Sequence, residues 1–341
     1  MTGAAAPAYW RHDLAGCLHT CMAGLLDFHG HDPLEVLGAA WQFAYTPGDV
    51  RREEYYFPCP PGRSLLSSMA PYHPVSSTWH RPASAEEGWA QVRARVDAGT
   101  PVAVAVDNFE LPFRPAYRDV HANHLILVHG YDDARGTVAV SDPVPPRFAG
   151  DIRQSELTAS RSSGNAVQHD RDMFFTDAPI AGRWLDIDVS TDAFPVFDRP
   201  FVRHVIETNI HGFEAPPDPA VAPLLHGLAG QQIFLDDMTG RYGRGETVVD
   251  ELFVLAGVQL ATSALHADWL AHGARTFGVP ELGEAARRVE RTAHHWSAIR
   301  ILAARTRTGH TAAGQLGRRF DDLMSDHRRS LRDLRHALAS L

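Results

Sequence analysis

The chain has 341 residues, a net charge of −9 and three cysteines, an odd and small number that argues against a disulfide framework and for a reducing compartment. It contains no lysine, all 32 basic residues being arginine, which excludes a pyridoxal phosphate Schiff base, a Walker phosphate loop and the protein-kinase signature. The acidic balance disfavours nucleic acid as a general partner, and a length of this order suits two packed units. The N-terminal MTGAAAPAYW lacks the basic start and apolar stretch of a signal peptide, and no run approaches bilayer length, so a cytoplasmic location is expected.

In chain order, residues 12–30 read as one helix entered after His12 and Asp13 and stopped by Gly30, with Leu18, Met22, Leu25 and Leu26 on one side. Cys17 falls in its first or second turn, where the helix dipole favours a thiolate. From Gly48 to Pro82 the composition is rich in Pro, Tyr, Ser and Arg without a period and reads as loop and short helix. A helix near Ala85–Ala98 precedes strands predicted at 101–106 (PVAVAV), 124–129 (HLILVH), 137–141 (TVAVS) and 184–189 (WLDIDV). This order is α+β, with a largely antiparallel sheet following an N-terminal helical section. The proline-containing EAPPDPAVAP at 214–223 marks a boundary, giving domains at 1–213 and 214–341. Beyond it run two helical stripes, Leu282, Ala286, Val289, Ala293, Trp296 and Ile299, then Leu316, Phe320, Leu323, Leu331, Leu334 and Leu338. The second stripe could equally serve a homodimer contact.

The chemistry lies in the first part. The turn DDARG centres near Asp133, so antiparallel pairing around it places His124 opposite Asp142, within side-chain reach. A carboxylate fixes the tautomer of an imidazole, and an oriented imidazole can take the proton of a thiol, so Cys17, His124 and Asp142 form a candidate catalytic set. Cys21, one helical turn on, is the rival thiol and His121 the rival imidazole. His129 reads as a structural histidine, and Cys59 as a loop residue. A zinc reading of Cys17, His19, Cys21, His121 and His124 matches no familiar ligand spacing, and no metal is expected. Oxyanion donors would be the Cys17 backbone N–H and the side chain of Arg11 or His12. Asp107 or Glu110, beside the aromatic-rich segment 108–117, could bind an amine, and EEYYFPCPPG at 53–62 could help form the pocket.

These segments resemble known families. GCLHTCMAGLLDFHG at 16–30, VAVDNFELPF at 104–113, HANHLILVHGYD at 121–132 and SDP at 141–143 are similar to the papain-like fold of C39 bacteriocin-processing peptidases. They resemble more closely the butirosin biosynthesis protein H family, in which a peptidase-like N-terminal domain precedes a helical C-terminal one. The resemblance implies a papain-like catalytic domain at 1–213 and an all-α bundle at 214–341. It also implies an acyltransferase of antibiotic biosynthesis that moves an aminoacyl group from an acyl or peptidyl carrier protein to a small-molecule amine. Cys17 would carry the acyl group as a thioester, with His124 as base and acid and Asp142 orienting it. No cofactor is implied beyond the phosphopantetheine of the carrier. Arg51 and Arg52, or Arg328, Arg329, Arg332 and Arg335, could meet an acidic carrier. In one departure, C39 peptidases place an oxyanion glutamine shortly before the cysteine, where this chain reads RHDLAG. Alternatives are a cysteine hydrolase on the same residues (peptidase, amidase or thioesterase) and a noncatalytic peptidase-like binding module.

Overall fold

The structure, a computed structural model, describes all residues except 1, 49–65, 67–68, 70, 167, 169–178, 190–193, 217–222 and 307–312. Its elements in chain order are β1 (Thr2–Gly3), α1 (Cys17–Phe28), α2 (Pro33–Leu37), β2 (Ala44–Tyr45), β3 (Val75–His80), α3 (Ala85–Asp97), β4 (Val102–Asp107), β5 (Asn123–Asp132), β6 (Thr137–Asp142), β7 (Phe148–Arg153), α4 (Gln154–Arg161), β8 (Trp184–Val189), α5 (Arg199–Glu214), β9 (Leu225–His226), α6 (Gly227–Gly243), α7 (Val249–Phe277), α8 (Pro280–Thr306) and α9 (Ala313–Leu338). They fall into two compact units, residues 1–33 with 75–189, and residues 34–74 with 190–341. No helix among the described residues is long and apolar enough to cross a membrane.

The first unit is built on an antiparallel sheet in the order β3-β8-β4-β5-β6-β7, with β1 pairing on β5. Its centre is buried on both faces, because every residue of β4 is buried. Val102, Val104, Val106, Ile126 and Val128 cluster with Val92 and Val96 of α3 and Leu157 of α4. The alternate residues Ala103, Ala105, Leu125 and Leu127 point to the other face. There α1 approaches so closely that a Cβ on Gly24 would lie 2.8 Å from Leu127 Cδ1, so a larger residue would require the leucine side chain to move. α1 buries Leu18, Met22, Leu25 and Leu26, each worth about 1.5–3 kcal/mol. It ends where Gly30 takes φ +83°, a conformation that favours glycine.

Three expectations shift. α1 begins at Cys17 rather than near residue 12, because Gly16 is extended and residues 12–15 form a turn closed by Ala15 N to His12 O. Val75–His80, inside the stretch read as loop and short helix, is a strand paired along its length with β8. The domain boundary also moves. α5, placed in the first domain by the 213/214 division, buries Val202, Val205, Ile206, Ile210 and Phe213 in the helical core, and Trp41, Phe43 and Tyr45 join that same core.

The second unit is helical apart from the short β2–β9 pair. Both predicted stripes are buried in its core, including Leu316, Phe320, Leu323, Leu331 and Leu334 of α9. The α9 stripe is thus covered within the unit. Trp41 lies among His266, His327 and Phe213, with ring centroids 4.7–5.4 Å away, and its Nε1 donates to Ser263.

Candidate functional site

Cys17 is the first residue of α1 and half-buried. No side chain caps this helix, so its first-turn N–H groups lack the usual capping acceptor. The thiol lies close enough to His124 to act on its charge. His124, near the start of β5 opposite Val106, meets Asp142 Oδ2 through Nε2 at 2.8 Å. With Nε2 so engaged, Nδ1 is the ring nitrogen left for the thiol. Asp142 is fully buried and ends β6, and its Oδ1 accepts the Val144 N–H at 2.9 Å. Burial opposes charge on His124. The charge and hydrogen bond of Asp142, joined by Cys17, outweigh it and raise the imidazole to about 9. The arrangement therefore sets an imidazole backed by a buried carboxylate beside the thiol, the grouping that nucleophilic cysteine chemistry uses.

The pairing that delivers this contact is not the direct opposition read from the hairpin. β5 and β6 pair Asp132 with Thr137, a bulge falls between Val128 and Gly130, and Leu127 then faces Ser141. Continued by one residue, that register sets Asp142 beside Ile126, so His124 is its diagonal neighbour two residues along. An even displacement keeps both side chains on one face, and a diagonal pair is still within reach of an imidazole.

The other sequence candidates separate. Cys21 is fully buried, its Sγ lies 3.4 Å from Leu125 O, and burial first, then the charges of Cys17 and Asp142, push its thiol well above the usual range. It is poorly placed to act as a nucleophile. His121 does have an acid of its own: its Nδ1 lies 2.6 Å from Asp107 Oδ2 and its ring stacks on Phe109 at 4.1 Å. Asp107 is fully buried and also accepts from Ser163 Oγ, Phe109 N and Ala122 N, so it is not open to a substrate amine as the sequence reading supposes. Glu110 is held by Arg118 at 3.0 Å. Arg11 bonds to Asp13, and His12 Nδ1 accepts from Leu14 N. Burial, with a smaller effect of His12, lowers His19 to about 4. Among the described residues no group of three or more His, Cys, Asp or Glu is placed to hold a metal ion. Cys59, Arg51, Arg52 and the segment 53–62 lie outside the described residues.

Sequence reasoning missed Arg114. Its Nη1 lies 3.0 Å from Asp142 Oδ2 and 2.9 Å from Val144 O. No motif or period marks an arginine in an irregular loop as the partner of a carboxylate 28 residues away. Beside Asp142, a small cleft of about 20 Å³ is lined by Thr20, Leu127, Phe148, Tyr9 and Arg147, whose guanidinium lies over the Tyr9 ring at 4.3 Å.

Residues 16–143 match the family described as butirosin biosynthesis protein H, N-terminal, a span that opens one residue before Cys17 and closes one residue after Asp142. No curated protein matches the chain. A thiol, an imidazole, a carboxylate and the strands that join them thus fall inside one segment, residues 16–143, that is similar to the butirosin biosynthesis protein H N-terminal family.

Proposed function

We propose that the protein is an enzyme of antibiotic biosynthesis, a cysteine-dependent acyltransferase that makes an amide from a carrier-bound thioester and an amine. The observation that carries this reading is the contact chain from Cys17 at a helix start through His124 to buried Asp142. A thiol on the first turn of a helix, with imidazole and carboxylate supplied from neighbouring strands, supports a papain-like arrangement. The matched family's name supports a biosynthetic rather than degradative role.

The Cys17 thiolate attacks the thioester carbonyl, and a carbon–sulfur bond forms as the carbon–sulfur bond to pantetheine breaks. The His124 imidazolium gives its proton to the departing pantetheine thiolate. The acceptor amine then attacks the Cys17 thioester, neutral His124 takes the proton that the amine sheds, and Cys17 leaves as thiolate. A thioester exchanging with a thiol is close to balanced, whereas amide formation drives the second step. The Cys17 backbone N–H, at the uncapped start of α1, is the candidate donor to the developing oxyanion. Arg328 and Arg332, exposed on α9, are candidates to meet an acidic carrier, while Arg335 is bonded to Glu214.

The test is turnover of a panel of aminoacyl-pantetheine thioesters with and without small amines, read by mass spectrometry of the products. Amide that forms only when amine is present supports transfer. Release of free acid at the same rate with or without amine identifies a hydrolase instead, and no turnover in either form removes the enzymatic reading.

A further inference from the structure

Two cationic donors converge on one oxygen. Asp142 Oδ2 receives His124 Nε2 at 2.8 Å and Arg114 Nη1 at 3.0 Å. The Arg114 side chain is 8% exposed and that of Asp142 0%, so little water screens this ion pair. Arg114 is held in place on both sides. Its guanidinium also donates to Val144 O and Pro145 O in the turn that follows Asp142. The loop that carries it is fastened at its base, where Asp107 Oδ1 accepts the N–H groups of Phe109 and Ala122, and Asn108 N donates to Ala122 O. The saturated Asp107 thus has a use: it closes the excursion that brings Arg114 to the carboxylate.

We propose that Arg114 is a positioning residue of the thiol site, acting through Asp142. It fixes the carboxylate and takes up part of its charge, so that the His124 imidazolium can release its proton. This rests on the reading of Cys17 as the activated nucleophile. A buried carboxylate facing the imidazole alone would hold the proton tightly, and a second cation on the same oxygen weakens that hold. Both transfer steps pass a proton through His124, so a base held too firmly protonated would stall the capture of the acyl group by the amine. The charged or titratable groups that face this centre are Cys17 and Cys21 from α1, His124 from β5, Asp142 from β6, Arg114 from its loop, and Arg147 across the cleft.

The experiment measures the rate of Cys17 alkylation by iodoacetamide from mildly acidic to alkaline pH, followed by peptide mass spectrometry. It compares wild type with Arg114→Met, Arg114→Lys and His124→Ala. An activated thiol shows two rises in rate, one where the ion pair forms and one where the imidazolium loses its proton, whereas His124→Ala shows a single rise. Arg114→Met is expected to move the second rise up by about one pH unit, and Arg114→Lys to restore most of the wild-type position. If Arg114→Met does not fold, Arg114→Gln keeps hydrogen-bond donors, removes the charge and is expected to show the same upward shift. A second rise that stays in place or moves down in a folded, charge-free variant overturns the proposal. A wild type that already shows only the single rise of His124→Ala overturns the activated-thiol reading itself, which is a different failure.

Discussion

His124 with Asp142 and His121 with Asp107 are both short imidazole–carboxylate contacts, at 2.8 and 2.6 Å, the first joining the start of β5 to the end of β6 and the second joining the loop before β5 to the end of β4. Their surroundings set them apart. Asp107 receives His121, a serine hydroxyl and two backbone N–H groups, and the His121 ring stacks on Phe109. This pair ties a loop to the sheet. Asp142 is shared between His124 and Arg114, and His124 lies beside a half-buried thiol. An aspartate beside a histidine is therefore weak evidence of chemistry by itself. What the imidazole meets on its other side, and whether the carboxylate is already saturated, decide between a clasp and a reactive site.

The largest contrast is expected in rate. His124→Ala should lower amide formation about a thousandfold, whereas His121→Phe should leave the rate per folded molecule near wild type, as measured by initial velocities on the same thioester. Comparable losses in both variants would erase the distinction. The order reverses for folding. Asp107→Ala leaves several buried donors without an acceptor and should cost about 3 kcal/mol in denaturant unfolding.

Acid sharpens the comparison between the two units. Burial lowers His266 to about 4 and His327 to about 3. Their neutral forms are favoured in the folded state, so stability is lost as pH falls below the ordinary histidine value of about 6.5, by up to about 1.4 kcal/mol per pH unit for each. In the first unit His19, lowered to about 4, shares this sign, whereas His124 has the opposite one. Raised to about 9, it contributes stability that is full below about pH 6.5 and is lost as pH rises through its folded value. Denaturant melts at mildly acidic and neutral pH should show the helical unit weakening on acidification, and His327→Phe should flatten that dependence. The smallest effect belongs to Cys21. Cys21→Ala should leave Cys17 alkylation unchanged and cost about 1 kcal/mol in stability.

The helix that carries Cys17 and the contact of His124 with Asp142 were legible because helix stop signals, strand composition and a hairpin turn are local features. The hairpin register was read two positions off, through a bulge that the sequence does not mark, yet an even error preserves the face and so the partnership. Burial was less legible. Asp107 looks from the sequence like an exposed acid at a strand end, and its closure by His121 and Ser163 depends on chain segments 14 and 56 residues away. Arg114 escaped for the same reason. The domain boundary was drawn at a proline-containing stretch, but the helical unit also recruits residues 34–74, and a discontinuous unit leaves no compositional step to find. The strand Val75–His80 carries polar serines and a threonine between its apolar residues and was lost among loop-like neighbours.

The central claim is that Cys17 carries the acyl group. Its most direct test is intact-protein mass spectrometry after mixing the enzyme with aminoacyl-pantetheine thioesters in the absence of amine, for wild type, Cys17→Ala and Cys21→Ala. The account predicts an adduct of the acyl mass in wild type and Cys21→Ala, absent in Cys17→Ala. An adduct that persists in Cys17→Ala and disappears in Cys21→Ala would contradict it.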